Sequence, residues 1–238
     1  MKDRIIPSAP FKNYAEIEVL AHKVKGNLHR IQVDICDGEY VKSLSWPFTE
    51  KPKEEFASIG ASDKYDLYLP LPDSLSYSAD LMCVNPEKYI DSLVTYGIDE
   101  VLIHYRSIEN DLSIFAEIIE KSQNFELNLI LAIDVQTDLN IFLDFAKKNI
   151  ESINGFQVMG IEKIGFQGQE FAEESLDIVK TLKENFPNTK IYFDGGLNED
   201  TIADCLDAGV DVFCIGSYLT KAQNFDENLQ VVKNLLRV

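Results

Sequence analysis

The chain has 238 residues, 45% hydrophobic and 26% charged, with glycine and proline scattered; that is enough to bury a large apolar core and close to the length of one (β/α)8 barrel. A formal charge of −18 argues against nucleic acid or an anionic membrane as partner, since both require a basic footprint. No signal-peptide run follows Met-Lys-Asp-Arg, no segment approaches a membrane span, and Cys36, Cys83, Cys205 and Cys214 lack metal or redox spacing, so a cytoplasmic protein with reduced thiols is expected.

Ile5-Ile6-Pro7 opens as a short strand, followed by a helix over Tyr14–Val24 and a second strand over Arg30–Ile35. From Leu44 to Tyr77 the chain is irregular and rich in Pro, Ser and Asp, with an extra strand expected at Tyr65–Leu69. So long an excursion is a candidate lid or subunit contact, which leaves a homo-oligomer open. A third strand is expected near Leu81–Val84, then a helix over Pro86–Tyr96 with Asn85 as its cap. Strands then alternate with helices: Glu100–His104, Leu112–Lys121, Leu127–Ile133, Leu139–Lys147, Gly155–Met159, Glu170–Asn185, Lys190–Phe193, Glu199–Ala208, Asp211–Ile215 and Asp226–Leu236.

The strands are nearly continuous in Val, Ile, Leu and Phe, as parallel strands buried on both faces must be. The helices carry apolar residues at three-and-four spacing, and Gly97 and Gly209 sit where helices should stop. Repeated β-then-α order without a break predicts an α/β fold, a single (β/α)8 TIM barrel over residues 1–238. An open doubly wound sheet is the alternative.

In such a barrel the site lies at the C-terminal ends of the strands. The polar residues there are acidic: Asp34 and Asp37 at the second strand, Asp80 near the third, Asp194 at the seventh, with Gln32 and His104 at similar levels. A single strand-end aspartate is more often a cap or turn former; acids from three strands aimed at one mouth are harder to dismiss. Glycines follow the last three strands, as Gly165-Phe166-Gln167-Gly168-Gln169, Asp194-Gly195-Gly196 and Gly216-Ser217. Together they read as a main-chain cradle for a phosphate, an electropositive site that needs no basic side chain.

These residues resemble the ribulose-phosphate 3-epimerase family over nearly the whole chain. The matching stretches are Pro7-Ser8, Val33-Asp34 with Asp37-Gly38, Leu81-Met82 with Pro86 to Ile90, Ile103-His104, Val158-Met159, Gly165 to Gln169 with Phe171, Asp194-Gly195-Gly196, Gly209-Val210-Asp211 and Gly216-Ser217. The resemblance implies interconversion of ribulose 5-phosphate and xylulose 5-phosphate. Asp34 and Asp194 would be the catalytic pair, one removing the C3 proton and the other returning one to the opposite face of an enediolate. It also implies a substrate site of Ser8, Met159, Gly165, Gly168, Gly195, Gly196, Gly216 and Ser217.

The family holds a divalent metal between two aspartates and two histidines, and here Gln32 and Asp80 replace both imidazoles. A set of Asp34, Asp80, Asp194 and Gln32 would offer only oxygen, favouring Mg²⁺ or Mn²⁺ over Zn²⁺, or no metal at all. The family's Asn-Pro after the fifth strand is Asp134-Val135, and the loop before Gly165 is one residue longer. Two functions follow: an epimerase acting on ribulose 5-phosphate or a related ketose phosphate, or a non-catalytic phosphosugar-binding paralogue. A lyase or decarboxylase is disfavoured because Asp34-Ile35-Cys36-Asp37 carries no lysine.

Overall fold

The computed structural model describes residues 4–60 and 67–238. In chain order its elements are β1 (Ile5–Ala9), α1 (Tyr14–Val24), β2 (Arg30–Cys36), α2 (Lys53–Ala57), β3 (Ser76–Met82), a 3₁₀ turn (Pro86–Tyr89), α3 (Ile90–Thr95), β4 (Ile98–His104), α4 (Tyr105–Ile108), α5 (Ser113–Asn124), β5 (Asn128–Ile133), α6 (Leu139–Asn149), a second 3₁₀ turn (Ile150–Ser152), β6 (Gly155–Met159), α7 (Ser175–Asn185), β7 (Lys190–Asp194), α8 (Ile202–Ala208), β8 (Val212–Ile215), α9 (Ser217–Thr220) and α10 (Phe225–Leu236). All eight strands pair in parallel, each with the next, and β1 closes on β8. The closed ring settles the choice against the open doubly wound sheet. No helix among the described residues is long and apolar enough to cross a membrane.

Alternation along each strand divides the core in two. On β2 the odd-numbered Ile31, Val33 and Ile35 join the large cluster between strands and helices. A separate small cluster of Ile6, Leu102, Ile130, Tyr192, Val212 and Cys214 fills the ring itself. The even-numbered Gln32 and Asp34 share that inner side, as the period of two requires. The barrel interior is therefore apolar in its middle, with Gln32, Asp34 and Asp80 toward the mouth and, toward the other end, a buried Glu100 that accepts from Tyr192 Oη at 3.1 Å and lies 3.5 Å from Arg30.

Several elements differ from expectation. The third strand starts at Ser76 and ends at Met82, so Cys83 and Val84 lie beyond it. Asn85 has φ 52° and makes no side-chain cap; the chain turns there, and Pro86–Tyr89 is 3₁₀ before α3 begins. The helices expected from Glu170 and Glu199 begin at Ser175 and Ile202. In the second case the Asn198 side chain accepts from the N–H groups of Asp200 and Thr201, forming a turn ahead of the helix. Gly97 and Gly209 do follow helices, with φ 85° and 109°.

The described parts of the stretch from Leu44 to Tyr77, residues 44–60 and 67–77, form a packed flank. Of the strand expected at Tyr65–Leu69, residues 65 and 66 lie outside the described residues, and 67–69 are not strand. Trp46, Phe48 and Phe56 are buried with Tyr89 and Tyr96. Their ring centroids lie 5.1 Å apart for Trp46–Tyr96, 5.0 Å for Phe48–Tyr89 and 5.9 Å for Phe56–Tyr96. Ser92 Oγ donates to Phe56 O at 2.6 Å and Leu69 N to Tyr96 O at 2.9 Å. This aromatic knot ties Trp46, Phe48 and Phe56 to the first 3₁₀ turn and the end of α3. Phe56→Ala should remove about 3–5 kcal/mol of stability, read from chemical denaturation.

Candidate functional site

A cavity of about 300 Å³ opens at the C-terminal ends of the strands. Asp34, Asp80, Met82, Met159 and Asp194 line it from β2, β3, β6 and β7, with Ser8 from β1. Register explains the grouping. Asp34 and Asp80 are Cα partners on neighbouring strands, as are Met159 and Asp194, and Ser8 stands beside Gln32. Asp34 and Asp194 retain 8% and 9% exposure whereas Asp80 has none, so all three line the cavity but only the first two are open to solvent.

Each acid has side-chain donors. Gln32 Nε2 donates to Asp34 Oδ1 at 3.0 Å and to Asp194 Oδ2 at 2.6 Å. His104 Nε2 lies 2.8 Å from Asp80 Oδ1, and Gln157 Nε2 donates to Asp80 Oδ2 at 3.0 Å. Sequence reasoning passes over Gln157, although its place two residues before Met159 puts it on the same face of β6.

Burial and like charge control the protonation of this cluster. Burial, then the charge of Asp80, pushes Asp194 up to about 7 against hydrogen bonds from Gln32 and Ser8. Asp34 is also raised well above the usual carboxylate range, by burial and then by Asp194 and Asp80, with Gln32 opposing. For His104, burial opposes the charged ring, but the contact with Asp80 outweighs it and the pKa is raised.

The other half of the cavity is built from three glycine-bearing loops: Gly165 to Gln169, Gly195 to Asn198 and Gly216 to Tyr218. All the glycines expected there line one wall, and no lysine or arginine does so among the described residues. The N–H groups of Gly196, Leu197 and Ser217 donate to no protein group among the described residues. Gly196 has φ 68°, and a Cβ there would stand 2.8 Å from Phe171 Cα. Gly160 is as tightly placed: its N–H donates to Asp194 O at 2.7 Å, its O accepts from Ala172 N, and a Cβ would meet the Phe193 ring at 2.2 Å. The extended loop after β6 is thus tied to the strand end that carries Asp194. Gln167 Nε2 donates to Ser8 O at 3.1 Å and pins the glycine turn across the mouth. Lys163 is exposed outside the cavity wall.

One oxygen from each of Asp34, Asp80 and Asp194 lies within 4.8 Å of the others, all buried. Gln32 Oε1 is buried and has no partner among the described residues. The three carboxylates offer only oxygen, which suits a hard divalent cation, while Gln32 turns its Nε2 and not its Oε1 toward Asp34 and Asp194.

The sequence model of the ribulose-phosphate 3 epimerase family matches residues 4–220. The chain belongs to the ribulose-phosphate 3-epimerase family. A ribulose-phosphate 3-epimerase of Eremothecium gossypii is 25% identical over 242 residues, covering 100% of this chain and 94% of that protein. One from Schizosaccharomyces pombe is 25% identical over 97% of this chain and 92% of its own length. Among solved structures, 3-hexulose-6-phosphate synthase from Salmonella typhimurium superposes with TM-score 0.67 at 16% identity, covering 98% of each chain. The Streptococcus mutans protein KGPDC gives 0.67 at 15% identity, over 100% of this chain and 98% of that one. Such structural likenesses speak to the barrel alone. The family assignment rests on the sequence, and in this epimerase-family chain carboxylates and main-chain amides line one and the same mouth.

Proposed function

We propose that this chain is a phosphosugar 3-epimerase that interconverts ribulose 5-phosphate and xylulose 5-phosphate, or a closely related ketose phosphate pair, in the cytoplasm. One observation carries the reading: Asp34 and Asp194, on strands well apart in the ring, face one cavity whose other wall is a glycine-rich main-chain surface with free N–H groups. A phosphate held by the amides of Gly196, Leu197 and Ser217 would lay the sugar chain toward the acids. Ser8, Met159, Gly165, Gly168, Gly195 and Gly216 would complete the substrate wall. The cavity volume of about 300 Å³ is that of a small metabolite site.

Epimerisation at C3 needs one base and one acid, one on each face of the flat intermediate. The ionised aspartate takes the C3 proton, electrons move toward the C2 oxygen, and the neutral aspartate gives its proton to the other face. The two acids then have exchanged roles, and the reverse reaction resets them. Burial and mutual repulsion raise both acids, which favours a state with one neutral and one ionised, the state from which this reaction starts. Asp34, Asp80 and Asp194 would hold a divalent cation, Mg²⁺ or Mn²⁺, and Gln32 would add a fourth oxygen only if its amide turned over from the acids. When bound, the cation supplies charge neutralisation for the enediolate oxygens, worth several kcal/mol. Four buried thiols, none in a disulfide, agree with a reducing compartment.

The test is a coupled assay for xylulose 5-phosphate formed from ribulose 5-phosphate, in EDTA and with added Mg²⁺, Mn²⁺ or Zn²⁺. Turnover is expected. Thermal stabilisation by ribulose 5-phosphate with no turnover under any of these conditions would make the protein a binder and end the epimerase reading.

A further inference from the structure

We propose that Gln32 is a positioning residue that holds Asp34 and Asp194 as a working pair without a cation. The proposal deepens the two-acid reading and rests on it. The Gln32 carboxamide lies buried below the cavity. Its single nitrogen has two N–H bonds, and each is directed to a different acid, at 2.6 Å to Asp194 Oδ2 and 3.0 Å to Asp34 Oδ1. These acids come from β2 and β7, which are separated around the ring by β1 and β8. The amide is therefore a strut between two otherwise unconnected strand ends. It sets the distance between the groups that must flank one carbon atom.

The other end of the same amide supports the assignment. Gln32 Oε1 is buried and has no hydrogen-bond partner among the described residues, a state that native structures rarely tolerate. Turning the amide over would direct that oxygen at two acid oxygens and lose both N–H bonds. The orientation follows the acids and leaves the oxygen unsatisfied. The remaining member of the cluster is provided for separately, because Asp80 receives His104 and Gln157 on its two oxygens. Every acid of the cluster thus has a donor supplied by this chain. A cation entering between Asp34 and Asp194 must displace the Gln32 N–H bonds and turn the amide so that Oε1 faces it. Metal binding and the strut compete for the same ground.

Three proteins test this: wild type, Gln32→Leu, which removes the donor, and Gln32→Glu, which keeps the shape and replaces the donor by an oxygen ligand. In EDTA, wild type is expected to keep its turnover. Gln32→Leu should lose roughly 10²-fold in kcat with KM little changed, as expected when reacting groups drift by about an ångström while the phosphate site stays intact. Gln32→Glu should turn over only with Mn²⁺ and bind Mn²⁺ at least about tenfold more tightly than wild type in calorimetric titration. Wild-type turnover that vanishes in EDTA and returns with Mn²⁺ would overturn the proposal, as would Gln32→Leu with wild-type kcat in EDTA. If none of the proteins epimerises any ketose phosphate, the epimerase reading fails on its own. The Mn²⁺ titrations then still decide the strut, since equal affinities of wild type and Gln32→Glu would refute it. Should Gln32→Leu not fold, wild type and Gln32→Glu carry the same decision.

Discussion

Replacing Asp34 by asparagine is expected to lower turnover of ribulose 5-phosphate by roughly 10²–10⁴-fold, the span that a positioned general acid or base contributes. Asp194→Asn should fall in the same range. Asparagine keeps the size of aspartate and its oxygen still accepts from Gln32, so the strand ends should stay in place. Binding should survive both changes, because the amide wall is built from loops after β6, β7 and β8 and touches neither carboxylate's proton chemistry. The two variants should differ in a further respect. Whichever aspartate remains can still draw the C3 proton from the epimer whose hydrogen faces it, and can return one only to that same face. Each variant should therefore exchange C3 hydrogen with solvent deuterium for one epimer and not the other, and the favoured epimer should swap between the two variants. Retention of turnover within tenfold by both variants would remove the acids from the chemistry. Exchange of both epimers by a single variant would place a second proton donor elsewhere in the cavity.

The barrel was legible in the sequence because most of its strands are unbroken apolar runs, and such runs between helical patterns leave few alternatives. The exception is instructive. β3 reads Ser-Tyr-Ser-Ala-Asp-Leu-Met, and its inward positions are Ser76, Ser78 and Asp80. Only Asp80 of these lines the cavity, but all three are polar and leave the strand without an apolar run, so the apolar Leu81 to Val84 drew the expected strand several residues too late. The helix starts near Glu170 and Glu199 misled for a related reason. Their first turns are taken up by loops that build the cavity: Phe171 stacks on Phe193 with centroids 5.7 Å apart, and Ala172 N donates to Gly160 O. The acidic set and the glycine cradle could be found by asking which residues end each strand. The direction of the Gln32 amide and the role of Gln157 could not, because both depend on contacts across the ring between residues 162 and 77 positions apart in sequence.

The protein should become less stable as pH rises, and a single substitution should remove much of that slope. An acid whose folded-state pKa is raised binds protons more tightly in the folded state than in the unfolded chain. Stability then falls as pH rises from the unfolded value, near 3.8, through the folded value, which is about 7 for Asp194. The difference, 7 minus 3.8, is about three units, and at about 1.4 kcal/mol per unit Asp194 alone accounts for a loss of order 4 kcal/mol by pH 8. Asp34, also raised, adds to the same trend. His104 acts with the same sign: its raised pKa stabilises the fold at low pH, and that contribution is lost as pH climbs through the folded value. Between pH 5 and pH 8 about two of these three units are crossed, roughly 3 kcal/mol, so in EDTA the melting temperature should drop by roughly 5–10 °C, taking about 2–4 °C per kcal/mol for a chain of this size. The overall acidity of the chain pushes in the same direction, so wild type alone does not isolate the site. Asp194→Asn does, because a neutral amide has no proton to lose while the rest of the surface is unchanged. The variant should melt above wild type at pH 8, match it more closely at pH 5, and show a visibly flatter profile, even though it has lost its turnover. Saturating Mn²⁺ should flatten the wild-type profile in the same way, because a bound cation relieves the repulsion that raises these acids. Parallel pH profiles for wild type and Asp194→Asn would mean that the buried cluster is already neutralised by other means, and that the strain assigned to three adjacent carboxylates is not there.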